Sequence, residues 1–268
     1  MKNDSLGDRC KAYEGIYKQY LPQNQYYVCR IDGKSFHNYT KGCDRPFDSD
    51  LIDAMQKTMV ALCKEIQGAV FGYTQSDEIT IVFTDTQSIT SEIWFGGNIQ
   101  KIVSIAASTA TSSFNTIRNQ QAQEWFGKHA KDLTHDQLLT EQKNRFKQAR
   151  FDARVYSVST REEVLNHLYW RQQDASKNSV QMLARSLFSH KECQNKNGSE
   201  LQDMMMLEKG MNWNDIGTVK KRGTACYRKM EIVQADLTKG DVVRFPWFID
   251  EEAPIFSNDW GWFDGKVL

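Results

Sequence analysis

The chain has 268 residues, 40% of them hydrophobic, with 34 Lys and Arg balanced by 34 Asp and Glu and only 16 Gly and 4 Pro. This composition excludes a collagen-like, low-complexity or disordered chain, and no apolar run approaches the roughly 18 residues of a membrane helix, so no membrane partner is expected. The zero net charge argues at first against a nucleic-acid partner. It is, however, the sum of −2 over residues 1–140, +7 over 141–230 and −5 over 231–268. The positive stretch reads either as an anion-binding face or as a solvated helical surface.

Residues 8–19 read as a helix, with Tyr13, Ile16, Tyr17 and Tyr20 at helical spacing before Pro22. Tyr26 to Ile31 is rich in strand formers and ends at Asp32-Gly33. Asp48 caps a helix that carries Leu51, Met55, Leu62 and Ile66 on one face. Strands over 70–73 and 79–83 are joined by the polar residues 74–78 as a hairpin. A long helix is predicted over Ser91 to Asn115, its small residues Ala106, Ala107 and Ala110 suited to close packing. Residues 116–150 read as helix or loop, Phe151 to Val158 as a strand and 161–190 as a polar helix. The order βαββαβ predicts an α+β fold, a ferredoxin-like antiparallel sheet with helices on one face. Residues 1–160 would form this core and 161–268 a helical and mixed region within one unit.

Cys10, Cys29, Cys43, Cys63, Cys193 and Cys226 lie no closer than 14 residues apart, so no zinc or thioredoxin-like pair is expected. The start, Met1 to Ser5, has no apolar run of a secretory signal, and the expectation is a cytoplasmic protein with reduced thiols. No P-loop, dinucleotide-binding loop or nucleophile elbow is found. The notable pair is Asp32, at the end of the first strand, and Asp77, in the hairpin 45 residues later. The first and third strands neighbour one another in such a sheet, which brings the two carboxylates together. They would repel unless a cation lay between them. Oxygen ligands suit Mg²⁺, and Gly33 permits close backbone approach. The pair is therefore either a two-metal phosphoryl-transfer site or two ordinary turn carboxylates.

The surrounding residues favour the first alternative. Arg30-Ile31-Asp32-Gly33-Lys34-Ser35-Phe36-His37 resembles the RIDGxxFH element of the tRNA-histidine guanylyltransferase family, the 3′-to-5′ polymerases. Tyr73-Thr74-Gln75-Ser76-Asp77-Glu78 resembles its YxQSDE element, and Arg45-Pro46-Phe47-Asp48 its basic-Pro-x-Asp segment. Phe151-Asp152-Ala153-Arg154, Trp170-Arg171-Gln172-Gln173-Asp174 and Lys221-Arg222-Gly223-Thr224 extend the similarity over roughly residues 5–230. The resemblance implies a polymerase-like palm in which Asp32, Gly33 and Asp77 hold two Mg²⁺ ions, with Glu78 as an adjacent catalytic acid. It implies that Lys34, Ser35, Phe36 and His37 cradle a triphosphate and that Asp48 lies near the base. Arg45 and Ser76 would serve activation of the RNA end, and Lys101 would bind phosphate.

The implied reaction is ATP-dependent activation of a tRNA 5′-monophosphate, followed by attack of an incoming NTP, GTP included, and release of AMP. The family's HINNLYN element is replaced here by Ser176-Lys177-Asn178-Ser179-Val180, in which only Asn178 persists. That departure resembles the guanylyltransferase-like branch associated with templated repair of 5′-truncated tRNA. The alternatives are non-templated G addition to tRNA-His and, more distantly, a nucleotide cyclase or an RNA-binding protein. Only Lys101 is cationic in the stretch Trp94 to Lys101, where the family often carries Arg. For tRNA phosphates the candidates are Lys143, Arg145, Lys147 and Arg150, read as one helix face, with Arg171, Asn178, Lys221 and Arg222. Trp170 and Trp213 would stack on bases or pack in the core. A homotetramer is implied by the family alone.

Overall fold

The computed structural model describes residues 5–234 and 241–267; residues 1–4, on which the leader expectation rested, lie outside them. The chain begins with α1 (Ser5–Ile16), β1 (Tyr26–Gly33), the short α2 (Phe36–Tyr39), α3 (Ser49–Glu65), β2 (Ala69–Gln75) and β3 (Glu78–Thr84). It continues through α4 (Ile99–His129), α5 (His135–Arg145), β4 (Phe151–Val158) and α6 (Arg161–Leu187). After α7 (His190–Cys193), α8 (Gly198–Lys209) and α9 (Thr218–Arg222) come β5 (Thr224–Arg228), β6 (Glu231–Gln234), β7 (Asp241–Arg244) and β8 (Trp247–Asp250).

Six strands form one antiparallel sheet in the order β4-β1-β3-β2-β5-β8, while β6 and β7 pair as a separate ribbon. The first four strands reproduce the expected ferredoxin-like order. The period-2 alternation of β1 explains how the sheet is filled. Tyr27, Cys29 and Ile31 join Ile79, Ile81 and Phe83 of β3 in a core covered by α3 and α4. The opposite face is not left open. There Val82 and Tyr73 pack with Val164, Leu165 and Leu168 of α6 and with Phe256 and Phe263 from the chain's end.

The α6 helix is thus less polar in function than its composition suggests. Its first half lies on the sheet, and its second half packs through Val180, Leu183 and Ala184 against Leu201 and Met205 of α8. The long helix expected from Ser91 begins later, at Ile99, and runs to His129. Phe95, Gly96 and Gly97 adopt positive φ, which no α-helix contains, and Asn98 then caps the true start by accepting the Lys101 N–H. α1 has the expected spacing but contributes no buried residue.

Candidate active site

The carboxylates gather where β1 ends and the β2–β3 hairpin turns. In the register of the sheet, Asp32 stands opposite Glu78 on β3 and opposite Asp152 on β4. Three acids therefore form one row across three strands. Arg30 and Arg154, also register partners, form the next row on the same face. Like charges directly opposite one another are unfavourable in a sheet, and the structure answers two of the three. Glu78 is engaged by Arg171 of α6 (Nε at 2.7 Å) and by Arg30 (Nε at 3.7 Å). Asp152 pairs with Arg154 at 3.4 Å. Asp32 has no ion pair among the described residues.

Ser76 and Asp77 form the hairpin turn, with Ser76 in the left-handed region at φ 51°. The Asp77 carbonyl accepts the Gly33 N–H at 3.0 Å, which ties the turn to the end of β1. The Asp77 carboxylate receives only the Ser76 hydroxyl, at 3.0 Å. Burial pushes its proton affinity above the ordinary carboxylate value, the Ser76 hydrogen bond opposes this, and the charge of Asp32 pushes it further up. Asp32 and Asp77 are thus two carboxylates whose mutual repulsion the protein does not neutralise. Among the described residues no three His, Cys, Asp or Glu side chains converge as a ready-made metal cage. Two carboxylates with neighbouring backbone oxygens fit Mg²⁺, which fills its remaining positions with water and substrate phosphate.

Beside this edge lies a cleft of about 750 Å³, within the range of small-molecule sites. Gly33, Ser35, Phe36 and His37 form its floor, with Arg45 and Asp48 on one side. Ser76 and Asp77 stand at its carboxylate end. The far wall is α6, through Ala175, Asn178, Met182 and Arg185, together with Lys220 and Lys221 of α9. Four cations therefore face a cavity whose end carries the unpaired carboxylates. Asp48 holds the near wall: one oxygen accepts the Leu51 N–H at 2.8 Å as the α3 cap, and the other accepts the Asp44 N–H at 3.1 Å. Arg118, buried in α4, donates to the Tyr39 hydroxyl at 3.3 Å and to Gln121, which in turn donates to the Asp50 carbonyl.

A sequence profile of the tRNAHis guanylyltransferase (Thg1) family matches residues 7–159, which include both carboxylates and all four core strands. The chain belongs to this family. It is 38% identical to a bacterial tRNA(His) guanylyltransferase (Thg1)-like protein solved in complex with ATP. The TM-score is 0.82, and 98% of this chain and 99% of the other are covered. A structure described in the same words but in complex with GTP gives 36% identity, a TM-score of 0.78 and the same coverage. A probable tRNA(His) guanylyltransferase of Dictyostelium discoideum is 25% identical over 221 residues, covering 78% of this chain and 77% of that one. The family is one of nucleotidyltransferases, and the α+β palm expected from it is the observed fold.

The family motifs converge only in part. Asp32, Gly33, Ser35, Phe36, His37, Arg45, Asp48, Ser76 and Asp77 meet at the cleft or its edge, and so do Asn178 and Lys221. Phe36 reaches it mainly as packing. Its ring is buried against Tyr39, Phe114 and Phe151 with centroids 4.9, 5.7 and 5.6 Å away. Lys34 is exposed, and its N–H donates to the Arg150 carbonyl at 2.8 Å.

Other predicted residues lie elsewhere. Lys101 opens α4 beside Leu21 and Tyr20, at the end of the sheet where β3 leaves, and so far from the carboxylates of its own chain. The expected basic helix face is broken, because α5 ends at Arg145. Lys143 is exposed on it, but Arg145 pairs with Glu141 at 2.8 Å and covers Trp125. Lys147 donates to the Lys41 carbonyl beneath the cleft loop, and Arg150 lies just before β4. Arg171 is 5% exposed and held by two carboxylates, so it is not a free phosphate contact. The Arg222 carbonyl accepts the Tyr73 hydroxyl. Trp213 donates to Ser179 at 3.0 Å within the α6 packing, whereas Trp170 is 49% exposed. Arg185 and the register position of Asp152 are not singled out by the sequence, although both lie in stretches it marks as basic or as family motif.

Proposed function

We propose that the protein is a template-directed nucleotidyltransferase that extends the 5′ end of truncated tRNA in the 3′-to-5′ direction, after ATP-dependent activation of the 5′-monophosphate. The observation that carries this reading is the unneutralised pair Asp32 and Asp77 at the mouth of a cation-lined, nucleotide-sized cleft. ATP and GTP in the descriptions of the two bacterial relatives support nucleoside triphosphates as substrates. The missing HINNLYN-type element supports repair over addition of a single G to tRNA-His, the activity by which the Dictyostelium relative is named.

Asp32, Asp77 and the backbone around Gly33 would hold two Mg²⁺ ions, which when bound neutralise phosphate charge and make a hydroxyl a better nucleophile at phosphorus. The chain's own contribution is orientation and charge. Arg45, Arg185, Lys220 and Lys221 attract the triphosphate, and the floor at Ser35 to His37 keeps the reacting phosphorus beside the carboxylates. The Ser76 hydroxyl, bonded to Asp77, would serve the activated 5′ end. Lys143, Arg150 and Trp170 are the exposed groups best suited to tRNA phosphates and bases, with the half-buried Lys221 beside the cleft.

The homotetramer belongs to the same proposal. α1 buries nothing, and its flank presents Tyr13, Ile16, Tyr17 and Tyr20 to solvent at 58% exposure or more. A further copy of the chain would cover this surface. Lys101 lies beside it, where its phosphate role would be toward a neighbouring subunit. The cytoplasmic setting belongs to the same proposal. Incubation with a 5′-monophosphorylated tRNA lacking its first nucleotides, ATP, NTPs and Mg²⁺ tests the function. Templated extension is expected; addition only to intact tRNA-His would replace it with the single-G reading.

A further inference from the structure

Between the carboxylate edge and the far wall of the cleft runs a chain of polar contacts that the catalytic reading does not use. Arg30 and Arg171 flank Glu78 at 3.7 and 2.7 Å. Arg171 Nη2 donates to Asp174 Oδ2 at 2.6 Å. The same Asp174 oxygen accepts the Asn178 side-chain amide at 3.3 Å. Asn178 lines the cleft, and Asp174 lies one helical turn before it. A carboxylate only accepts hydrogen bonds, so Asn178 must turn its NH₂ toward Asp174 and its carbonyl oxygen away. Arg171 is 5% exposed and Glu78 8%, so their charges are fixed in a setting where an unpaired partner is costly.

We infer that Arg171 is a positioning residue: through Glu78 and Asp174 it locks α6 to the hairpin that carries Asp77 and sets the Asn178 amide in the orientation that meets a nucleotide in the cleft. Glu78 then serves the far wall of the site and is not a ligand of its metals. Both of its oxygens face guanidinium groups, whereas Asp32 and Asp77 have none. The inference rests on the proposed nucleotide cleft and adds how that cleft keeps its width and polarity.

The test is ATP binding by titration calorimetry alongside steady-state extension of truncated tRNA, for the full-length wild type, Arg171→Met, Arg171→Lys, Glu78→Gln, Asn178→Ala and the Arg171→Met/Asn178→Ala double variant. Arg171→Met is expected to weaken ATP binding about ten-fold, with kcat lower by less than about three-fold because Asp32 is held by the sheet and the Asp77 turn is tied to it through the Gly33 N–H. Asn178→Ala is expected to do the same, and the double variant to be no worse than either single one. Arg171→Lys should recover part of the loss. Glu78→Gln keeps the shape and tests the same link if Arg171→Met does not fold, which thermal unfolding reports. Multiplying effects in the double variant, or a loss of kcat with ATP affinity unchanged, would overturn the relay. Wild type that binds ATP but extends no RNA would sink the proposed reaction while the affinity comparison still judges the relay; wild type that binds no ATP would overturn both.

Discussion

Gly33 shows how tightly the edge of the site is built. A Cβ placed there would lie 2.3 Å from the ring of Phe36, which is itself locked among Tyr39, Phe114 and Phe151. Gly33→Ala is therefore expected to cost about 1–3 kcal/mol in urea unfolding, as overpacking does, and to weaken ATP binding because the floor of the cleft moves. His167 offers a test away from the carboxylates. Burial, then the Arg171 and Arg30 charges, lower its pKa from 6.5 to about 4. The unfolded chain takes up this proton below pH 6.5 while the folded one does not, so stability falls as pH drops from about 6.5 toward 4. The loss at full extent is about 3 kcal/mol, measurable as a shift in urea midpoint that His167→Gln should largely abolish.

At the scale of elements, caps and turns set the outcome more than propensity did. Asp48 was legible as the α3 cap, and it also anchors the loop carrying Arg45. Asp48→Ala should cost about 1 kcal/mol and raise the apparent KM for ATP more than it lowers kcat, because the loop is freed while Asp32 stays in the sheet and the Asp77 turn stays tied to it through the Gly33 N–H. The sequence predicts the α4 start too early because Trp94 to Gly97 reads as apolar continuation. Only the left-handed conformations at Phe95, Gly96 and Gly97 and the Asn98 cap reveal the break. Lys143 to Arg150 matched helical spacing, but α5 stops at Arg145. Charge spacing carries no signal for where a chain must turn back into a strand. The carboxylate pair was legible because sheet topology follows from element order. The Glu78–Arg171 pairing was not, since α6 finds the sheet only through tertiary packing of Val164, Leu165 and Leu168.

For the whole molecule, the neutral net charge conceals a divided surface. Arg185, Lys220 and Lys221 come from the +7 stretch and face a cleft whose end is acidic. Affinity for tRNA should fall steeply with salt, and replacing either Lys143 or Lys221 by Gln should lower the log–log slope by about 1 if that residue contacts phosphate. The exposed flank of α1 should be covered in solution, so light scattering is expected to show a tetramer that Tyr17→Glu dissociates. We propose that Asp32 and Asp77 form the reaction centre beside the cleft. This is tested most directly by extension of a 5′-truncated, 5′-monophosphorylated tRNA with ATP, NTPs and Mg²⁺, comparing wild type with Asp77→Ala. Templated extension by the wild type and its loss in a folded Asp77→Ala protein is the expected result; full extension by Asp77→Ala would contradict it.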